Sequence, residues 1–329
     1  MQENKTLQAL GIPFSALLSI IFGIMIFSFP IGAYIVFNTD IGNEINYEYP
    51  LQSLDFFIAG ISIQIPIDFE LGDAFIVLWS IYAIIFAIAM FGPKKSFFKE
   101  LAPIMNEGKH TPSSNYMVSM IKWFTVLILV SAIINIVQES VGITTEPPLA
   151  ENDLIQFFDV TKAPIIEEIG FRVLLIGVPL YAIYSHKASA RHFFKSLWHP
   201  YSNLHVFERK KALALIVLVA VFFGLAHIIS GEPWSSGKFA QAAASGIIIG
   251  WVYFRYGLAP ALLIHWATNY FVFSYVYFVA DINSVTITEA FSHSMLQTFE
   301  IMFFVAGIIS VAIMIIHQRD SKKQERLEV

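Results

Sequence analysis

The sequence predicts an all-α, polytopic integral membrane bundle of about eight transmembrane helices. Of its 329 residues, 56% are hydrophobic and only 14% charged, and the mean hydropathy is +0.65, far above an ordinary soluble domain. Runs of about twenty residues with few or no charges recur along the chain, the length a helix needs to cross roughly 30 Å of hydrocarbon. They lack the alternation of barrel strands.

The first run, 14–37, follows a single Lys5 and has no small-residue cleavage site, so it reads as a retained span. The others are expected at 74–92, 116–137, 163–184, 212–229, 239–256, 258–280 and 296–316. The loop from 38 to 73 carries its own apolar run, LDFFIAGISIQIPI, too short to span and expected to lie at the interface or on the bundle. In the sixth span, Gly246 and Gly250 form GIIIG, a spacing that lets helices approach closely. The loop 185–211 holds His186, His192, His199 and His205 at irregular spacing, which favours a solvated or headgroup-facing loop over a metal site.

Lys and Arg alternate between loops. One set of segments holds Lys5, Lys94, Lys95, Lys99, Lys109, the basic residues of 187–211, Arg255, and Arg319 to Arg326. The opposite set holds only Lys162 and Lys238, among acids that include Asp40, Glu48, Asp68, Glu146, Glu151 and Asp153. Cytoplasmic loops are the Lys/Arg-rich ones, so both termini are expected in the cytoplasm, with the protein in the cell membrane. With no linker and no repeat, residues 1–329 read as one transmembrane domain. A core at 150–280 carries the polar motifs, and 317–329 reads as a cytoplasmic tail. Cysteine is absent, which removes disulfides, thiol catalysis and lipidation at cysteine.

Three spans carry groups that lipid penalises: Glu167, Glu168 and Arg172 in the fourth, His227 in the fifth, His265 and Asn269 in the seventh. A charge at mid-membrane depth costs about 2.5 to 3.5 kcal/mol on insertion scales. They must therefore face one another or water. Glu168 and Arg172 are spaced for an intrahelical ion pair with the acid first, the favourable order. Glu167 then sits about 100° around the helix, without a local partner. Each piece also has a plain structural account: an orienting ion pair, a histidine on a carbonyl, an asparagine joining helices.

Taken together, one carboxylate, two imidazoles and an amide are what water activation needs. A carboxylate in a low-dielectric cavity holds a proton well enough to act as a general base, and an imidazole can share that proton. A second imidazole and an amide can donate to an oxyanion. Equally, Glu167, His227 and His265 could hold a catalytic zinc, and the residues alone do not choose. No HExxH or G-x-S-x-G is present, and the Gly-Asp at Gly72-Asp73 lacks a matching intramembrane aspartate. Counted at about 1.5 Å per residue from the basic boundaries, Glu167 and His227 fall roughly 24 to 30 Å from the inner edge and Asn269 about 20 Å.

These segments resemble the CPBP family of CAAX proteases and bacteriocin-processing proteins, which includes the type II CAAX prenyl endopeptidases. EEIGFR is similar to its EExxxR motif at Glu167, Glu168 and Arg172; FGLAH to FxxxH at Phe223 and His227; HWATN to HxxxN at His265 and Asn269. The resemblance implies that Glu167 is the general base and His227 its partner in activating water. It implies that His265 and Asn269 stabilise the oxyanion or complete a metal site, and that Glu168 and Arg172 orient the helix. The expected substrate is a prenylated CAAX-type or other membrane-associated peptide, with membrane lipids as surroundings and no nucleic acid as partner. Two rivals stand beside this reading: a non-catalytic scaffold or immunity protein of the same family, and a proton- or cation-coupled transporter. The transporter would favour matching broken helices in two halves, and no half-to-half similarity is visible.

Overall fold

A computed structural model describes residues 5–41, 44–58, 61–107, 115–145, 152–229 and 235–327, so Lys109, Glu146 and Glu151 of the charge pattern lie outside the described residues. Its helices are α1 (Lys5–Asn38), α2 (Leu71–Phe91), α3 (Phe97–Glu107), α4 (Tyr116–Ser140), α5 (Asp153–Glu167), α6 (Val178–Tyr184) and α7 (Ala190–Trp198). They continue with α8 (Pro200–Asn203), α9 (Arg209–Ile229), α10 (Lys238–Tyr256), α11 (Leu258–Trp266), α12 (Val272–Asn283), α13 (Ile287–Phe291) and α14 (Ser294–Leu327). Two π-helical segments, Glu168–Gly177 and Ala267–Phe271, splice α5 to α6 and α11 to α12.

Every apolar run expected to span falls on helix. Among the described residues, six helical stretches are long and apolar enough to cross a membrane by length and composition alone. The expected crossings at 163–184 and 239–256 are not among those six. The first is interrupted by a π segment and carries Glu167, Glu168 and Arg172; the second begins with the polar, small-residue stretch KFAQAAAS. Large apolar side chains point outward from the long helices, as Phe27, Ile84, Ile136, Leu218 and Ile301 do. Water would reject such a surface, but it matches lipid. The protein is an integral membrane helical bundle.

Two segments take regular forms that the sequence reading left open. The apolar run in the loop 38–73, expected at the interface or on the bundle, packs on the bundle as an antiparallel hairpin, β1 (Pro50–Ile58) and β2 (Ile61–Glu70), with Ile58 opposite Ile61 and Pro50 opposite Glu70. The cause lies in the second half of the run, where ISIQIPIDF alternates β-branched with mostly polar residues, a strand pattern rather than a helical one. β1 packs along α5 and the π segment after it, whereas β2 packs against α2. The stretch from 317, expected as a tail, continues α14 as far as Leu327. HQRDSKKQERL contains no Gly or Pro and is rich in good helix formers.

Polar ties and aromatic wedges hold the bundle. Buried Asn115 caps α4 by accepting from the Met117 and Val118 N–H groups at 2.9 and 3.1 Å. Its amide nitrogen lies 2.8 Å from the Lys95 carbonyl, binding the α2–α3 connection to the same spot. Tyr82 donates to the Thr161 carbonyl at 2.7 Å, joining α2 to α5. The Tyr270 ring stacks on Trp266 and Phe157 at 5.6 Å each and donates to the Ser28 carbonyl at 2.9 Å. These contacts fix the second π segment against α1 and α5. The GIIIG spacing is used for packing: a Cβ on Gly246 would lie 3.0 Å from Ala220, and one on Gly250 2.9 Å from Ile216, so α10 sits close on α9.

Candidate active site

Both π segments occur at motif residues, one beginning at Glu168 and the other containing Asn269. A π turn widens the helix and re-aims side chains, and such insertions concentrate at functional sites. Here the widened turn after α5 directs two consecutive carboxylates at one imidazole. His265 Nδ1 lies 2.8 Å from Glu168 Oε1, and His265 Nε2 lies 3.7 Å from Glu167 Oε2. Glu168 Oε1 also meets Arg172 Nη1 at 3.2 Å, and the Arg172 guanidinium stands 4.4 Å from the Phe223 ring centroid. Glu168 is fully buried, and Arg172 and His265 are 1% and 5% exposed.

The result is a chain of contacts, Phe223 to Arg172 to Glu168 to His265 to Glu167, crossing four helical elements. Glu168, read from sequence as an ion-pair partner only, is also the residue that orients His265. A carboxylate on Nδ1 fixes the proton there and turns Nε2 toward Glu167. Glu167, expected without a local partner, has none on its own helix but meets His265 across the bundle. Its Oε2 is buried without a hydrogen-bond partner. A separation of 3.7 Å is long for a direct bond, yet short enough for a single oxygen to touch both atoms.

His265 also faces a cleft of about 190 Å³ between α4, α9, α10 and α11, which His227, Phe223, Thr268 and Asn269 line with it. His227 Nδ1 is 2.9 Å from the carbonyl of Phe223, one turn back on α9, leaving Nε2 as its outward nitrogen. Asn269 Oδ1 accepts from the Thr268 hydroxyl at 3.3 Å, which leaves the amide N–H groups for the cleft. Glu167 does not line this cleft itself and meets it through His265. Leu127, Ile128 and Ile249 supply an apolar wall.

Helical rise resolves the depth of these residues. His227 is about 27 Å along α9 from its basic end, and His265 only about 10 Å along α11 from the same face. They line one cleft all the same, so distance counted from the loop boundaries does not give a common depth. The cleft also takes in Lys238, which the sequence reading counted only as a loop charge, and Gln241, which it did not single out. Lys238 Nζ donates to Gln241 Oε1 at 2.9 Å and lies within electrostatic reach of Glu167. The clue was available: KFAQ opens an apolar span with polar residues three apart, on one helical face.

The donor set was tested against the zinc alternative. His265 gives one nitrogen to Glu168 and His227 one to a carbonyl, and among the described residues no three His, Asp or Glu groups gather as ligands of one ion. The residues as arranged do not fit a metal centre. His186, His192 and His205 do come together on the basic loop, with ring centroids 4.8 and 4.2 Å from His186, but they form no such ligand group either.

A family model described as type II CAAX prenyl endopeptidase Rce1-like matches residues 154–271. Over that stretch the chain resembles the CAAX proteases of the CPBP family. All seven motif residues, from Glu167 to Asn269, lie within the matched stretch, and so do both π segments. No curated protein and no solved structure matches the chain significantly. The hairpin, α1 to α4 and α14 lie outside the match.

Proposed function

We propose that the protein is an intramembrane endopeptidase that cleaves membrane-associated peptides, CAAX-type tails among them, with water activated by Glu167. The observation that carries this reading is the His265 imidazole held between two carboxylates, one buried and paired, the other with an unbonded oxygen 3.7 Å away. Water touching Glu167 Oε2 and His265 Nε2 loses a proton to Glu167 as its oxygen attacks the peptide carbonyl carbon. The carbonyl π electrons move to oxygen, and the Asn269 amide donates to that oxyanion. On collapse the carbon–nitrogen bond breaks, and the proton held by Glu167 passes to the leaving amine. Glu168, held by Arg172, keeps the His265 proton on Nδ1 throughout.

The apolar wall suits aliphatic side chains, and a membrane-anchored peptide reaches such a cleft from lipid. The Lys/Arg distribution supports cytoplasmic termini in the cell membrane. Because the donors do not form a ligand set, we take the metal-free route, and cleavage by purified protein should survive a strong chelator. Hydrolysis in ¹⁸O-labelled water should place one label in the new carboxyl terminus. No cleavage of any membrane-anchored peptide, with partner binding intact after His265→Ala, would favour the scaffold reading instead.

A further inference from the structure

The hairpin lies outside the family match and has no part in the chemistry above, yet it runs beside the catalytic helix. β1 spans about 30 Å at the usual strand rise and α5 about 22 Å at the helical rise. β1 packs on α5 and on the π segment that follows it, the two elements that meet at Glu167 and Glu168.

The sheet has two strands only, and among the described residues no backbone hydrogen bond leaves the outer side of either strand over 51–58 or 61–69. The register tells which groups point outward. Pro66 opposes Ser53 and has no N–H, so that pair cannot exchange both ladder bonds. Pairs alternate in an antiparallel ladder. Leu54–Ile65, Phe56–Ile63 and Ile58–Ile61 are then the bonded pairs, and the N–H and C=O groups of Ser53, Asp55 and Phe57 face away from β2. An unpaired sheet edge presents a row of N–H and C=O groups that another extended chain can pair with.

We propose that the outer edge of β1 is the substrate-binding edge: an extended peptide adds to it as a third strand and is thereby presented to Glu167. This rests on the endopeptidase reading. A peptide carbonyl is open to attack only when its segment is not helical, and strand addition supplies that conformation through main-chain bonds that are blind to side-chain identity. A second copy of the chain could pair with the same edge. The substrate is favoured because β1, and not β2, is the strand that lies along the segment carrying Glu167.

The test uses the full-length protein in detergent and a fluorescent membrane-anchored peptide carrying single backbone N-methyl groups at successive positions. Binding is read on Glu167→Gln and cleavage on the wild type. Each lost main-chain bond should weaken binding by about 2- to 10-fold, at every second peptide position rather than uniformly. Asp55→Pro and Phe57→Pro, which delete outward N–H groups without touching the ladder, should raise KM by a similar factor, while Gln64→Pro on β2 should not. A flat methylation profile, an effect from Gln64→Pro alone, or crosslinks through β1 between two copies of the chain would overturn the proposal. If the Pro variants do not fold, the methylation profile on intact protein decides. Period-two binding without any cleavage would preserve the edge and remove the endopeptidase reading.

Discussion

Removing the Arg172 guanidinium tests the electrostatic frame of the site. Glu168 is fully buried and Arg172 nearly so, with the ion pair at 3.2 Å and the cation over Phe223 at 4.4 Å. Breaking one partner of a buried pair costs about 3 to 5 kcal/mol, because the other charge is left uncompensated. Loss of the cation–π contact adds about 1 kcal/mol. His265 remains on Glu168 Oε1 at 2.8 Å and offsets part of this, so Arg172→Ala should destabilise by about 3 kcal/mol. At roughly 2 to 4 °C per kcal/mol for a chain of this size, unfolding in detergent should shift down by about 6 to 12 °C. Glu168→Gln combined with Arg172→Met removes both charges and should recover most of the loss, since an apolar replacement of a buried pair is often neutral. An unchanged transition for Arg172→Ala, or a double variant less stable than the single one, would refute the ion pair as a structural element.

Other expectations concern packing and capping. Gly32 faces the Tyr270 hydroxyl so closely that an added Cβ would collide with it. Gly32→Ala gains up to about 1 kcal/mol of helix propensity but should lose about 1 to 3 kcal/mol to overpacking, plus the bond to Ser28, for a net fall in melting temperature. Gly250→Val should separate α10 from Ile216 and lower folded yield, read as the monodisperse fraction on size exclusion. Thr286 and Glu289 form a reciprocal cap on α13: the Thr286 N–H and hydroxyl each reach Glu289 Oε2 at 2.9 Å and hold its carboxyl below the usual carboxylate range. A depressed folded-state pKa means the cap is intact above the unfolded value and lost as pH falls through the folded one. Amide exchange at Ala290 should therefore lose protection on acidification, beyond the intrinsic pH dependence, and Thr286→Val, which keeps the backbone bond but removes the hydroxyl, should reduce that change.

Much of this was legible before any coordinates. Length and apolarity marked the six helical stretches able to cross a membrane by length and composition, because lipid imposes one simple requirement on each. The polar residues that lipid should have excluded marked the site for the same reason. Other features were not readable. A π turn leaves no trace in helical periodicity, so the approach of both Glu167 and Glu168 to His265 could not be counted out at 100° per residue. The bond from Glu168 to His265 joins residues 97 apart in the chain, and no local pattern announces it. The hairpin was hidden by its own apolarity: LDFFIAG does not alternate as ISIQIPIDF does, and the whole stretch read as one short hydrophobic run.

The most direct measurement is cleavage of a membrane-anchored peptide by Glu167→Gln beside the wild type in proteoliposomes. The carboxamide cannot accept a proton from water, whereas it occupies nearly the same volume at a position half open to its surroundings. Hydrolysis should stop while the unfolding transition stays within a degree or two of the wild type. Turnover by the variant at a rate near that of the wild type would contradict the assignment of Glu167 as the base, and with it the reaction proposed for this site.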